Sequence, residues 1–332
     1  MTLRLTARWS FLDAPRESCE VCGARHIPYV PTCMQCGAAV QPNAQNIALS
    51  SRHEPQKEEG SRRIAHLSDL HIGQQLPVGR MLPMGVFRIW LEMFERYQVD
   101  LIVLSGDVVE RPGDTYGMTR AKALLEDCAI PWLVVPGNHD LRRPGYPDDF
   151  HDVFGQYPRL ETHCGIDFVL FDSMAGLPLE ERDVAERMYG DYVCYTEGRV
   201  GHRQFERMSE ALLAQAQDGE ERPRAIVLHH HVMRQHADLM PLTPKQAGIT
   251  EDLFGTMKAL MDADELFAWA RRHRARTIFH GHKHLFQQPG GRDGNILVLN
   301  AGSSTLREGS QRARFVDYLP GRRVVTNLEL LI

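Results

Sequence analysis

Five short apolar runs in this chain each end in residues able to ligate a metal ion. RIAHLS (63–68) runs into Asp69-Leu70-His71, DLIVLSG (100–106) into Asp107-Val108-Val109-Glu110, and PWLVVPG (131–137) into Asn138-His139-Asp140. RAIVL (224–228) runs into His229-His230-His231, and RTIFHG (276–281) into His282-Lys283-His284. Several runs are continuously apolar, which predicts strands covered on both faces. Further strands are expected at 167–172 and 295–300 and in the late segments ARFVDY and RRVVTNL. Amphipathic spacing predicts helices at 85–98, 202–217 and 262–273, the last with Asp262 and Glu265 in a capping-box arrangement. Strands alternating with helices predict an α/β sandwich. Ligands bind such sheets outside the carboxyl ends of the strands, so carboxylates, an amide and imidazoles are expected to meet along one edge.

The donors are nitrogen and oxygen with no thiolate, a set that suits Mn, Fe or Zn better than Ca or Mg. Asp69, His71, Asp107, Asn138, His282, His284 and one histidine of the triplet outnumber the roughly four to six donors that one ion takes. A two-metal site sharing a bridging carboxylate fits the inventory better. Turns at Gly106 and Gly137 are expected to let Asp107 and Asn138 reach the ions without backbone strain.

The ordered set D-x-H, G-D-x-x-E, G-N-H-D, H and G-H-x-H, over residues of about 62–305, resembles the calcineurin-like metallophosphoesterase superfamily. With Asn300-Ala301-Gly302-Ser303-Ser304 after it, the set is closest in flavour to the class III cyclic-nucleotide phosphodiesterase and glycerophosphodiesterase branch. The resemblance implies a sandwich of two mixed sheets flanked by helices. It implies that Asp69, His71 and His284 hold one divalent ion, that Asn138, a triplet histidine and His282 hold a second, and that Asp107 bridges them. Asn138 and His139 would contact substrate. His139 would protonate the leaving oxygen as a metal-bridging hydroxide attacks phosphorus, with Asp140 orienting His139 or its loop. Relatives commonly carry proline after the fourth motif. Aligning Val232 with that proline makes His230 the ligand, with His229 the alternative and His231 at the pocket rim. Glu110 stands where aspartate or asparagine is commoner, in a supporting position.

Residues 1–40 form a separate expectation. Cys19, Cys22, Cys33 and Cys36 make two C-x2-C units, each followed by glycine, and resemble a small rubredoxin-like ribbon closed around one structural zinc. Residues 41–61 read as a polar linker, and 62–332 as the phosphoesterase domain. Cys128, Cys164 and Cys194 are expected to be buried thiols. No apolar run approaches the roughly 18 residues of a membrane span, and the first residues lack the apolar stretch of a secretory signal, so a cytoplasmic protein is expected. The net charge of -5 excludes a surface that is basic throughout.

The leading expectation is therefore a dinuclear metal-dependent phosphoesterase that acts on a cyclic or linear nucleotide or another small diester. Arg111, Arg142, Arg143 and Arg307 lie near the motifs, and the segment 233–261 between two motifs is expected to shape the pocket wall, with His236 as a further contact. The alternative is a DNA or RNA nuclease whose ribbon engages nucleic acid or a protein partner. A non-catalytic scaffold is less favoured, because every proposed ligand is present.

Overall fold

The computed structural model describes residues 2–10, 17–18, 25–26, 56–74, 83–141, 149–176, 198–216, 222–232, 260–282, 284, 296–305 and 311–331. One sheet contains β1 (Thr2–Ser10), β4 (Arg62–Leu67), β5 (Leu101–Leu104), β6 (Trp132–Val134), β12 (Gln311–Leu319) and β13 (Arg322–Leu331), in the order β1-β13-β12-β4-β5-β6. The other contains β7 (Arg159–His163), β8 (Ile166–Leu170), β9 (Arg224–Val227), β10 (Ala275–His280) and β11 (Leu297–Asn300), in the order β11-β10-β9-β8-β7. Both sheets are mixed. β4, β5 and β6 run parallel, as do β8 to β11, while β12, β13, β1 and β7 pair antiparallel. A separate pair, β2 (Glu17–Ser18) and β3 (Arg25–His26), lies in the amino-terminal segment.

The sequence builds four layers by alternation along fully buried strands. Leu101 and Val103 of β5 face the space between the sheets, where Phe168, Leu170, Val227, Phe279 and Leu299 come from the other side. Ile102 and Leu104 face outward against α1 (Pro83–Arg96), α2 (Thr115–Asp127) and α3 (Asp149–Phe154), through Phe87, Trp90, Phe94, Met118 and Phe150. The second sheet is covered by α4 (His202–Ala216) and α5 (Ala263–Arg272), which bring Phe205, Met208, Leu266 and Trp269 onto Val169, Ile226 and Ile278. Each such side chain contributes about 1.5–3 kcal/mol when fully buried.

Several expectations change in detail. α2 was not anticipated, although Asp114 caps it by accepting from the backbone N–H of Gly117 at 2.8 Å. Asp262 stands at the N-cap of α5 but caps nothing. Its carboxylate accepts instead from the N–H groups of Val200 (3.2 Å) and Gly201 (2.7 Å), tying α5 to the approach to α4. Residues 2–10, assigned to the amino-terminal module by the cysteine spacing, pair with β13 from Thr2 opposite Leu331 to Ser10 opposite Val324. An open sheet edge presents unsatisfied backbone groups that any extended segment can meet, so this pairing leaves little mark on the sequence. Cys128 is buried as expected, whereas Cys164 is only half-buried. Cys19, Cys22, Cys33, Cys36 and Cys194 lie outside the described residues, as do Arg142, Arg143, Arg307 and His236.

Two buried polar features tie the layers together. Arg63 of β4 forms a two-pronged ion pair with Asp317 of β12, Nε to Oδ1 at 2.7 Å and Nη2 to Oδ2 at 2.8 Å. His66 is fully buried, with Nε2 at 2.9 Å from Ser105 Oγ and its ring edge-on to Phe279. Burial, then Arg314 and His280, holds the His66 imidazole well below its ordinary value of 6.5. Replacing Asp317 by alanine should destabilise the fold by about 3–5 kcal/mol in denaturant titration, because the buried Arg63 charge then loses its Asp317 counterion. His66 takes its proton more readily in the unfolded chain. Stability should therefore fall as pH drops below 6.5, and a His66→Gln variant should show a shallower slope from pH 6.5 to 5.

Candidate metal centre

The parallel strands of each sheet end nearly level. Leu67, Leu104 and Val134 are in register across the first sheet, and Val227 lies opposite Phe279 in the second. The five motif loops leave from these ends. They are laced by backbone bonds from Asp69 N to Gly106 O, His71 N to Asp107 O, Ile72 N to Val108 O and Gly281 N to His229 O, each 2.9–3.0 Å.

Two groups of donors form. In the first, Asp69, His71 and His284 converge within 4.8 Å, with His284 Nε2 at 3.2 Å from Asp69 Oδ1 and at 3.1 Å from His71 Nε2. In the second, Asp107, His229 and His282 converge within the same limit. Asn138 joins them, its Oδ1 lying 3.0 Å from His229 Nε2 and 2.9 Å from His282 Nδ1. Asp107 stands between the groups, its Oδ2 at 3.8 Å from His71 Nε2 and 3.3 Å from His229 Nε2. One ring nitrogen of His139 also lies within 4.8 Å of the His71 and Asp107 donors.

The triplet resolves differently from the expectation for His230. His229 is the residue that enters the donor cluster. His230 turns its Nδ1 to Ser173 Oγ at 2.7 Å, and the fully buried His231 lies beside His280 with ring centres 4.9 Å apart. His229 reaches Asn138 and Asp107, whereas the His230 ring lies against the His282 ring, with centres 4.5 Å apart. Gly106 also admits His229, since a Cβ there would lie 2.5 Å from His229 Nδ1.

The backbone is not relaxed here. Asp69, His71, Asp107, His282 and His284 all have positive φ, between 46° and 75°. Left-handed conformations in non-glycine residues cost about 1–3 kcal/mol each, and clusters of them mark functional sites. The expectation that glycine turns would spare Asp107 this strain does not hold. Gly106 takes φ +89° and Asp107 follows it at 52°.

Charge is concentrated and nearly dry. Burial pushes the Asp107 carboxyl up, but His229, His139 and His71 outweigh it and hold it well below its usual range. Burial likewise opposes the charge on Asp69, and His284 and His229 overcome it. The His229 imidazole is drawn down by burial and raised more strongly by Asp107 and Asp69, to about 9. The donor set thus demands positive charge. His229 Nδ1 lies 2.8 Å from the Ser105 carbonyl, to which only an N–H can donate. A neutral His229 therefore aims the lone pair of Nε2 at the oxygens of Asn138 and Asp107, a gathering of acceptors that fits a cation.

Supporting residues were only partly anticipated. Asp140 binds its loop rather than His139, accepting from Val109 N at 3.0 Å and Gly137 N at 2.9 Å. Burial, then Asp107, raises the Asp140 carboxyl to about 7. His139 is oriented by main chain, with Nδ1 at 2.9 Å from the Glu110 carbonyl and its own N–H donating to Asp107 Oδ1 at 2.8 Å. Ser303 Oγ donates to the Asp69 carbonyl and Thr305 Oγ1 to that of Leu70. The run Gly302-Ser303-Ser304-Thr305 was the available signal for these. Arg111 is exposed.

Residues 62–286 match the calcineurin-like phosphoesterase family. The chain belongs to that family. Members hydrolyse phosphoesters at a dinuclear divalent metal centre, and the residues gathered here are candidate ligands for one. A dimetal phosphatase from Danio rerio shares the fold with a TM-score of 0.55 at 12% identity, over 81% of this chain and 96% of that one. A purple acid phosphatase from yellow lupin seeds gives a TM-score of 0.49 at 12% identity, over 81% of this chain and 51% of that one. The DNA double-strand break repair protein Mre11 of Haloferax volcanii is 29% identical over 137 residues, which are 36% of this chain and 29% of that protein. Among the described residues, no helix is long and apolar enough to cross a membrane.

Metal analysis of purified His229→Ala and His230→Ala proteins separates the two histidines. Loss of bound manganese is expected for His229→Ala, with His230→Ala retaining it. Gly106→Ala should also lose metal, because its Cβ displaces the His229 ring.

Proposed function

We propose that the chain is a dinuclear metal-dependent phosphodiesterase acting on a small diester, such as a cyclic or linear nucleotide. The observation that carries this reading is the convergence of both donor groups on Asp107, with His139 beside them. Asp69, His71 and His284 would hold one divalent ion and Asn138, His229 and His282 the other, with Asp107 shared. Bound there, two divalent ions supply Lewis acidity toward phosphoryl oxygens and a nucleophile from water near neutral pH. Mn, Fe and Zn all suit mixed imidazole and carboxylate donors.

The chain's own residues would do the rest. Asp107 and Asp69, held ionised, keep the site's donors charged across the neutral range. Asn138 and His139 would meet the substrate. The Glu110 carbonyl fixes His139 through Nδ1, leaving Nε2 as the atom that exchanges a proton with the leaving oxygen. His284, with a side chain 40% exposed against 0–3% for Asp69, His71, Asp107 and His229, marks the open side of the site.

A second reading is a nuclease, supported by the similarity to the Haloferax volcanii DNA double-strand break repair protein. In that case Cys19, Cys22, Cys33 and Cys36 would form a zinc ribbon engaging nucleic acid or a partner protein. Binding to DNA would weaken steeply with added salt.

Manganese-loaded protein should hydrolyse bis-p-nitrophenyl phosphate and cyclic nucleotides faster than p-nitrophenyl phosphate. His139→Ala should keep its metal while kcat falls by about 10²–10⁴-fold. Turnover confined to DNA or RNA would favour the nuclease reading. Absence of metal-dependent turnover on every phosphoester would overturn both.

A further inference from the structure

Glu110 carries a carboxylate that the two-metal reading of the site leaves without a role. It follows Asp107 by three residues, and its N–H donates to the Ile72 carbonyl at 2.9 Å, locking the second motif loop to the first. Two further groups of the same residue then act in different directions. The carboxylate oxygen Oε2 stands 2.9 Å from His71 Nδ1, a close charge contact rather than an aligned hydrogen bond, and the main-chain carbonyl accepts from His139 Nδ1, also at 2.9 Å. The His71 ring is nearly fully buried and the Glu110 side chain is 26% exposed, so the contact is only partly screened by water.

His71 has one nitrogen toward this carboxylate and the other toward Asp69, Asp107 and His284. An ionised carboxylate beside one imidazole nitrogen favours the proton on that nitrogen and leaves the opposite lone pair directed at a metal. We infer that Glu110 is a positioning residue for the first metal, setting the His71 tautomer through its side chain while its carbonyl independently orients His139. The inference rests on the proposed two-metal reading of the site. Side-chain length matters to it. Aspartate would keep the charge and the carbonyl but draw the carboxylate back by about 1.5 Å, one C–C bond.

The test is calorimetric titration of the metal-stripped full chain with Mn, an ion that four-thiolate sites disfavour. Wild type, Glu110→Asp, Glu110→Gln, Glu110→Ala and, as a control, His71→Ala are compared. The expected result is a loss of about 10–100-fold in affinity for one of two ions in the Asp and Ala variants. Glu110→Gln should lose less, because its amide oxygen can still present a partial negative charge to Nδ1 at the same side-chain length. The manganese concentration giving half-maximal turnover should rise by the same factors. If wild type binds two ions and all three Glu110 variants match it within about 2-fold, the inference fails while the metal-centre reading stands. Equal losses in all three variants, accompanied by equal falls in Tm, assign Glu110 a merely structural role and also overturn it. If wild type binds no manganese, the underlying reading fails instead.

Discussion

The Asp107 carboxylate, buried and ionised between two sets of imidazoles, is the contact around which the active edge is arranged. Its Oδ2 faces His71 on one side and His229 on the other, and its Oδ1 accepts the N–H of His139. A lone buried carboxylate would protonate to escape the loss of hydration. Here the surrounding histidines reverse that tendency, and Asp107 in turn raises His229. Such mutual dependence is what a site built for cations requires, since the divalent ions can take over the charge that protons otherwise supply.

The fold provides that arrangement at a cost in backbone strain. Five donor residues hold positive φ, and each conformation persists only because its neighbours over-determine it. The lacing of the 69–72 and 106–110 loops, the Asp140 carboxylate on two loop N–H groups, and the Ser303 and Thr305 hydroxyls on the first loop supply that constraint. Below the edge, the rigid sandwich of Leu101, Val103, Phe168, Val227 and Phe279 fixes the strand ends from which the loops depart.

Much of this was readable beforehand because the signals are local. Strand cores announce themselves as apolar runs, and the residue that follows each is a ligand type. The second sheet and the mixed polarity follow the expected pattern, and Asp69, His71 and His284, singled out in the sequence, lie together, as do Asn138 and His282. What eluded the sequence depends on contacts between distant segments. Asp262 has the sequence of a helix cap, yet its carboxylate serves Val200 and Gly201, because tertiary proximity offered it better donors. β1 joins an edge through main-chain pairing, which has no side-chain signature.

The histidine triplet shows where the division falls. Sequence alone determined that an imidazole at the end of β9 belongs to the shared edge, because the order of ligand types around the sheet leaves room for one there. Only the tertiary structure shows His229 among the clustered donors. The cleared space beside Gly106 accepts that ring. His230 meets Ser173 through Nδ1 while its ring lies 4.5 Å from that of His282. Spacing fixes which residue types reach an edge, whereas side-chain direction is set by the packing that surrounds it.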